Sequence, residues 1–78
     1  MEKKQITVVT KAACPVCIMT KSEIERNLDK FDVKFLTNKD KEGKALISES
    51  GMRDAPLIKA DGKFYSGKNA YVFIKSLS

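Results

Sequence analysis

At 78 residues the chain has room for one small domain spanning 1–78, and a chain of that size buries only a little over ~60% of the surface it exposes when unfolded. Apolar residues make up 42% and charged residues 32%, a balance that excludes intrinsic disorder and fits a soluble globular domain. The formal charge is +5, from 15 Lys and Arg against 10 Asp and Glu. The basic residues are spread from Lys3 to Lys75 with no run of five like charges, which points to a solvated surface or an acidic protein partner and away from nucleic acid.

No apolar run approaches the ~18 residues that a bilayer span needs. The start, Met1-Glu2-Lys3-Lys4-Gln5, leads into a short strand-like stretch and not into a long apolar core with a cleavage site. A cytoplasmic chain is therefore expected. There a structural disulfide is disfavoured, and a catalytic or metal-binding cysteine pair is favoured.

In chain order, Gln5 to Thr10 is β-branched and apolar, as a buried strand is. Lys11-Ala12-Ala13 connects it to Cys14, and Pro15 suits the first position of a helix, where its missing N–H costs nothing. Cys17, Thr20, Ile24, Leu28 and Phe31 then recur every three or four residues, predicting one face of an amphipathic helix with Lys21 and Glu25 paired on another. Val33 to Leu36 reads as a second strand. Thr37, Asn38 and Asp40 are helix-start residues, and a second helix is expected from about Lys39 to Ser50, stopped by Gly51. Pro56 to Ala60 and Lys63 to Ser66 form a hairpin around Asp61-Gly62. Gly67 and Lys68 lead into a last helix whose stripe is Ala70, Phe73, Ile74 and Leu77. The order βαβαββα gives a parallel first pair with a right-handed crossover, extended antiparallel by the hairpin. The expected architecture is an α/β three-layer sandwich on a mixed sheet.

Cys14-Pro15-Val16-Cys17 contains the only cysteines, at the strand-to-helix turn. Structural zinc wants four Cys or His ligands and catalytic zinc usually three, whereas the chain has two Cys and no His. A metal or iron–sulfur cluster bridging two subunits stays open as the alternative. A disulfide across so short a loop stabilises by only roughly 2 kcal/mol, a weak reason for a staple. Thiol–disulfide exchange explains the pair best. Cys14 precedes the first helical turn, where unpaired N–H groups and the helix dipole favour a thiolate. It is read as the exposed nucleophile, with Lys11 as a candidate aid. Cys17 begins the buried stripe and is read as the resolving cysteine, while Pro15 and Val16 set the stiffness of the turn and so bias the potential.

With these residues placed, the chain resembles the glutaredoxin-like redoxins of the thioredoxin superfamily, nearest the NrdH-type redoxins, which reduce class I ribonucleotide reductase. The motifs are Ile6–Lys11 (ITVVTK), Cys14–Cys17 (CPVC), Asp54–Pro56 (DAP) and Phe64–Gly67 (FYSG). The resemblance implies a four-stranded mixed sheet and a cis Ala55–Pro56 bond facing the cysteines, with Ala55 backbone groups pairing with a bound thiol substrate. It also implies a monomer with no bound cofactor, whose redox-active disulfide is restored by thioredoxin reductase and NADPH or by glutathione. Dithiol glutaredoxins often have Tyr where Val16 stands, and a Gly-Gly turn followed by acids that hold glutathione. Here Ser66-Gly67-Lys68-Asn69 offers no carboxylate, although Gly67 and the helix after it still suit a bound carboxylate. That favours thioredoxin reductase. The Trp and Phe-Arg-Pro usual in NrdH-type chains near Tyr65 and Lys68-Asn69-Ala70 are also missing.

Overall fold

The structure is a computed structural model that describes residues 3–77. Its elements follow the expected order: β1 (Lys4–Thr10), α1 (Pro15–Glu25), β2 (Phe31–Thr37), α2 (Lys41–Ser50), β3 (Leu57–Ala60), β4 (Lys63–Ser66) and α3 (Lys68–Leu77). The sheet is four-stranded with spatial order β2-β1-β3-β4. β2 lies parallel to β1, with Ile6 opposite Val33, and β3 lies antiparallel on the other side, with Val8 opposite Ile58. β4 closes the hairpin with Tyr65 opposite Ile58. Asp61 and Gly62 turn it with φ of 52° and 77°, the left-handed pair that a two-residue type I′ turn requires.

Strand alternation divides the apolar residues between two faces. Ile6, Val8, Ile58 and Ala60 meet Ile24 of α1 and Ala70 and Ile74 of α3 in the main core, with Phe31. Val9 and Leu57, pointing the other way and equally buried, lie under α2 together with Ile47. Two helices cover one face and one covers part of the other, which gives the three layers. α2 approaches unusually closely. A side-chain carbon on Gly43 would stand 2.1 Å from the Thr37 carbonyl oxygen. Ion pairs flank that contact, Lys34 to Glu42 at 2.8 Å and Lys59 to Glu49 at 3.6 Å. On the core side, Glu23 of α1 is buried and reaches Lys75 of α3 at 3.6 Å.

Several sequence expectations need correction. The first helix ends at Glu25, so the stripe does not continue through Leu28 and Phe31. Leu28 is exposed in the following turn, and Phe31 is buried because it opens β2 opposite Lys4. Lys21 lies over the Phe35 ring at 5.4 Å, and among the described residues no ion pair joins it to Glu25. α2 begins at Lys41 with Asp40 as its N-cap, and it ends as expected at Gly51, whose φ is 68°. Pro56 stands just outside β3. In α3 Leu77 is exposed; the buried contacts come from Ala70 and Ile74, and Phe73 stacks on Tyr65 with ring centroids 4.0 Å apart.

Candidate active site

The chain leaves β1 at Thr10 and turns through Ala13, whose φ of 55° is left-handed. This turn delivers Cys14 in an extended conformation, φ −120° and ψ 100°, as the N-cap of α1. Pro15 follows at the position where a helix loses nothing by lacking an N–H. The Ile18 amide donates to the Cys14 carbonyl at 3.2 Å, closing the first helical turn. The Cys17 amide donates to Cys14 Sγ, also at 3.2 Å. The sulfur thus takes the place that a Ser or Asp oxygen holds in an ordinary cap.

Cys14 Sγ has a second partner. Its S–H donates to the Ala55 carbonyl at 3.6 Å, within the longer reach of sulfur. The Ala55–Pro56 bond is cis, as the resemblance implies, and Pro56 is fully buried. The loop packed over the sulfur leaves Cys14 only 7% exposed, against 4% for Cys17. The expectation that Cys14 sits in an exposed turn is therefore corrected. Both cysteines are free thiols. The two contacts respond oppositely to loss of the Cys14 proton. The bond to Ala55 disappears, because a carbonyl cannot accept from a bare sulfur. The bond from the Cys17 amide strengthens, because its acceptor becomes charged.

Cys17 meets a different environment. Burial pushes its pKa up from 9.0 to about 11, helped by its hydrogen bond with Cys14 and by the Cys14 charge, while the Lys11 backbone and ammonium pull the other way. Lys11 is itself exposed. Its resolved influence falls on Cys17. With Arg53, Asn38 and Ile47 it lines a cleft of about 80 Å³ that reaches Ala55. Pro15 is exposed and Val16 half-buried on the first turn of α1.

The remaining candidates join through the backbone. The Gly67 amide donates to the Pro56 carbonyl at 3.0 Å, and Ser66 pairs with Leu57 at the end of the hairpin. The fold therefore brings Cys14, Cys17, Ala55, Pro56, Ser66 and Gly67 to one end of the sheet. It also brings Asp54, which the sequence marked only as part of the DAP motif and not as a neighbour of Gly67. The Ser66–Asn69 turn has no carboxylate of its own, but the Asp54 side chain lies against Gly67, its Cβ 3.3 Å from where a side-chain carbon on Gly67 would be. Among the described residues no three His, Cys, Asp or Glu side chains are grouped as a metal ion would need.

No protein-family model matches the chain, and no curated protein matches it. Among solved structures it is similar to the glutaredoxin-like protein NrdH-redoxin from Escherichia coli, a protein with a thioredoxin-like activity profile. The two share 25% sequence identity and a TM-score of 0.73, over 95% of each chain. The fold is thus the α/β thioredoxin-like fold in its glutaredoxin-type form, and the resemblance to NrdH-type redoxins read from the motifs holds in three dimensions.

Proposed function

We propose that this chain is a dithiol thiol–disulfide oxidoreductase that reduces protein disulfides, with Cys14 as nucleophile and Cys17 as resolving cysteine. The observation that carries this reading is the placement of Cys14 Sγ at the start of α1, accepting from the Cys17 amide and lying against the Ala55 carbonyl. Similarity to a glutaredoxin-like redox protein supports the same class of chemistry.

In the forward step the Cys14 thiolate attacks one sulfur of the target disulfide. A Cys14–target S–S bond forms, the target bond breaks, and one target thiolate leaves. Cys17 then loses its proton and attacks Cys14 Sγ, releasing the second target thiolate and leaving a Cys14–Cys17 disulfide. Two electrons pass to the target, and an external reductant restores the pair. Ala55 and Pro56 form the wall against which the target sulfur is held, with its backbone pairing to Ala55. Ser66 and Gly67 border that wall, Lys11 eases ionisation of Cys17, and Pro15 and Val16 tune the potential through the turn.

Thioredoxin reductase is the favoured reductant, in keeping with the thioredoxin-like profile of the similar Escherichia coli protein. Ribonucleotide reductase is the target that the NrdH likeness puts forward, and a reducing, cytoplasmic setting fits both. One observation keeps a second reading in play. Asp54 places a carboxylate beside Gly67, where a glutathione-dependent glutaredoxin needs one for the glutathione amino group. NADPH consumption coupled to thioredoxin reductase, compared with glutathione and its own reductase, decides between them. Turnover with thioredoxin reductase is expected, and turnover only with glutathione overturns that preference. A visible absorption band from an iron–sulfur cluster shared by two chains would instead favour the carrier alternative.

A further inference from the structure

Asp54 is the residue immediately before Ala55, whose carbonyl accepts from Cys14 Sγ at 3.6 Å. On its other side it rests on Gly67, its Oδ2 3.8 Å from where a side-chain carbon would be. The backbone fixes this arrangement, because the Gly67 amide is bonded to the Pro56 carbonyl and the Ala70 and Tyr71 amides turn back to the Gly67 carbonyl. Any side chain on Gly67 would press on Asp54. Unlike Glu23, Glu42, Glu49 and Asp61, which are each paired with a lysine, Asp54 is exposed and has no cation within ion-pair distance among the described residues. It is a carboxylate without a direct ion pair, held one residue from the point where a substrate sulfur must lie, with Lys11 and Arg53 lining the same cleft.

We infer that Asp54 is a specificity-determining residue of this site, selecting disulfides whose arm beside the reacting sulfur is neutral or cationic over those that carry an anion there. The inference rests on the dithiol reading above. A sulfur bonded to Cys14 lies against Ala55, the residue that follows Asp54, so its arm starts within the electrostatic reach of the Asp54 carboxylate. At a charge separation of about 7 Å in a water-like dielectric, one unit charge changes the rate for a charged arm by about threefold. The net charge of +5 acts the opposite way, favouring anions generally, so the two effects are separable by comparing variants.

The test uses a Cys17→Ser background, in which the first exchange stops at the Cys14–probe mixed disulfide and one probe thiolate is released. Rates of formation, followed by mass spectrometry at low ionic strength, are compared for cystamine, hydroxyethyl disulfide and dithiodiglycolate. These carry cationic, neutral and anionic arms. Their intrinsic reactivities differ, so the readout is each charged-to-neutral rate ratio, compared between variants. Asp54→Asn should raise the anionic ratio about threefold and lower the cationic ratio by a similar factor, with both changes fading toward 1 M salt. Asp54→Ser should shift both in the same directions. Asp61→Asn makes the same change in net charge at the β3–β4 turn and should leave both ratios unchanged. Unchanged ratios in both Asp54 variants, or equal shifts from Asp61→Asn, overturn the inference. If none of the probes modifies Cys14 when Asp54 is intact, the dithiol reading itself fails and takes the inference with it.

Discussion

Cys14 and Cys17 are both buried, so exposure does not separate their roles; their hydrogen bonds do. Cys14 Sγ accepts an amide bond that survives ionisation, whereas burial holds Cys17 as a thiol with a pKa raised to about 11. Resolution should then limit turnover near neutrality. Burial persists in the mixed disulfide, where the Cys14 proton and charge are gone, so in a single-turnover experiment release of the second target thiolate should accelerate as pH rises from 7 to 9, following the Cys17 thiolate; a rate independent of pH over that range would contradict this. The same shift bears on stability. An acid whose folded pKa lies above its unfolded value favours the folded state fully below pH 9.0, and that contribution is lost as pH rises to about 11. Urea midpoints at pH 7 and pH 10.5 should fall more steeply for the wild type than for Cys17→Ala. The burial of Cys17 was legible from helix spacing. The burial of Cys14 was not, because the loop that covers it, Ala55–Pro56, is remote in the chain.

Elements built on local chemistry were readable, and those decided by tertiary contact were not. Asp61-Gly62 specifies its hairpin by turn geometry, and Gly51 ends α2 by adopting a positive φ. The end of α1 has no such marker. Arg26 to Lys30 contains neither Gly nor Pro, and the helix stops because Phe31 is drawn into pairing beside β1. The thin apolar content of α2 has a cause that only the packing reveals. Gly43 lets the helix backbone settle on the Thr37 carbonyl, so close contact replaces side-chain filling. Gly43→Ala offers a sharp test, since alanine improves intrinsic helix propensity by about 1 kcal/mol. The new carbon would stand 2.1 Å from a backbone oxygen, and forcing α2 off the sheet should cost about 1–3 kcal/mol or more. A net loss of stability, seen as a lower urea midpoint, is expected; a gain would show that α2 is free to shift.

Across the whole molecule, the βαβαββα order was sufficient to give the sheet, since a parallel crossover followed by a hairpin leaves few ways to pair four strands. What the order did not give was the meeting of Asp54 with Gly67, which depends on how the cis-proline loop and the start of α3 converge at one end of the sheet. That end carries all the proposed chemistry. The other end, around Lys4 and Asp61, carries an ion pair and a broad, open polar depression. Within this division one substitution is decisive, because Cys14 is the only residue proposed to form a covalent bond to the target. The most direct measurement is NADPH-coupled reduction of a protein disulfide by wild type and Cys14→Ser, with far-ultraviolet circular dichroism confirming that both are folded. Turnover is expected for the wild type and none above background for Cys14→Ser. A folded Cys14→Ser protein that still reduces the disulfide would contradict the nucleophilic role of Cys14.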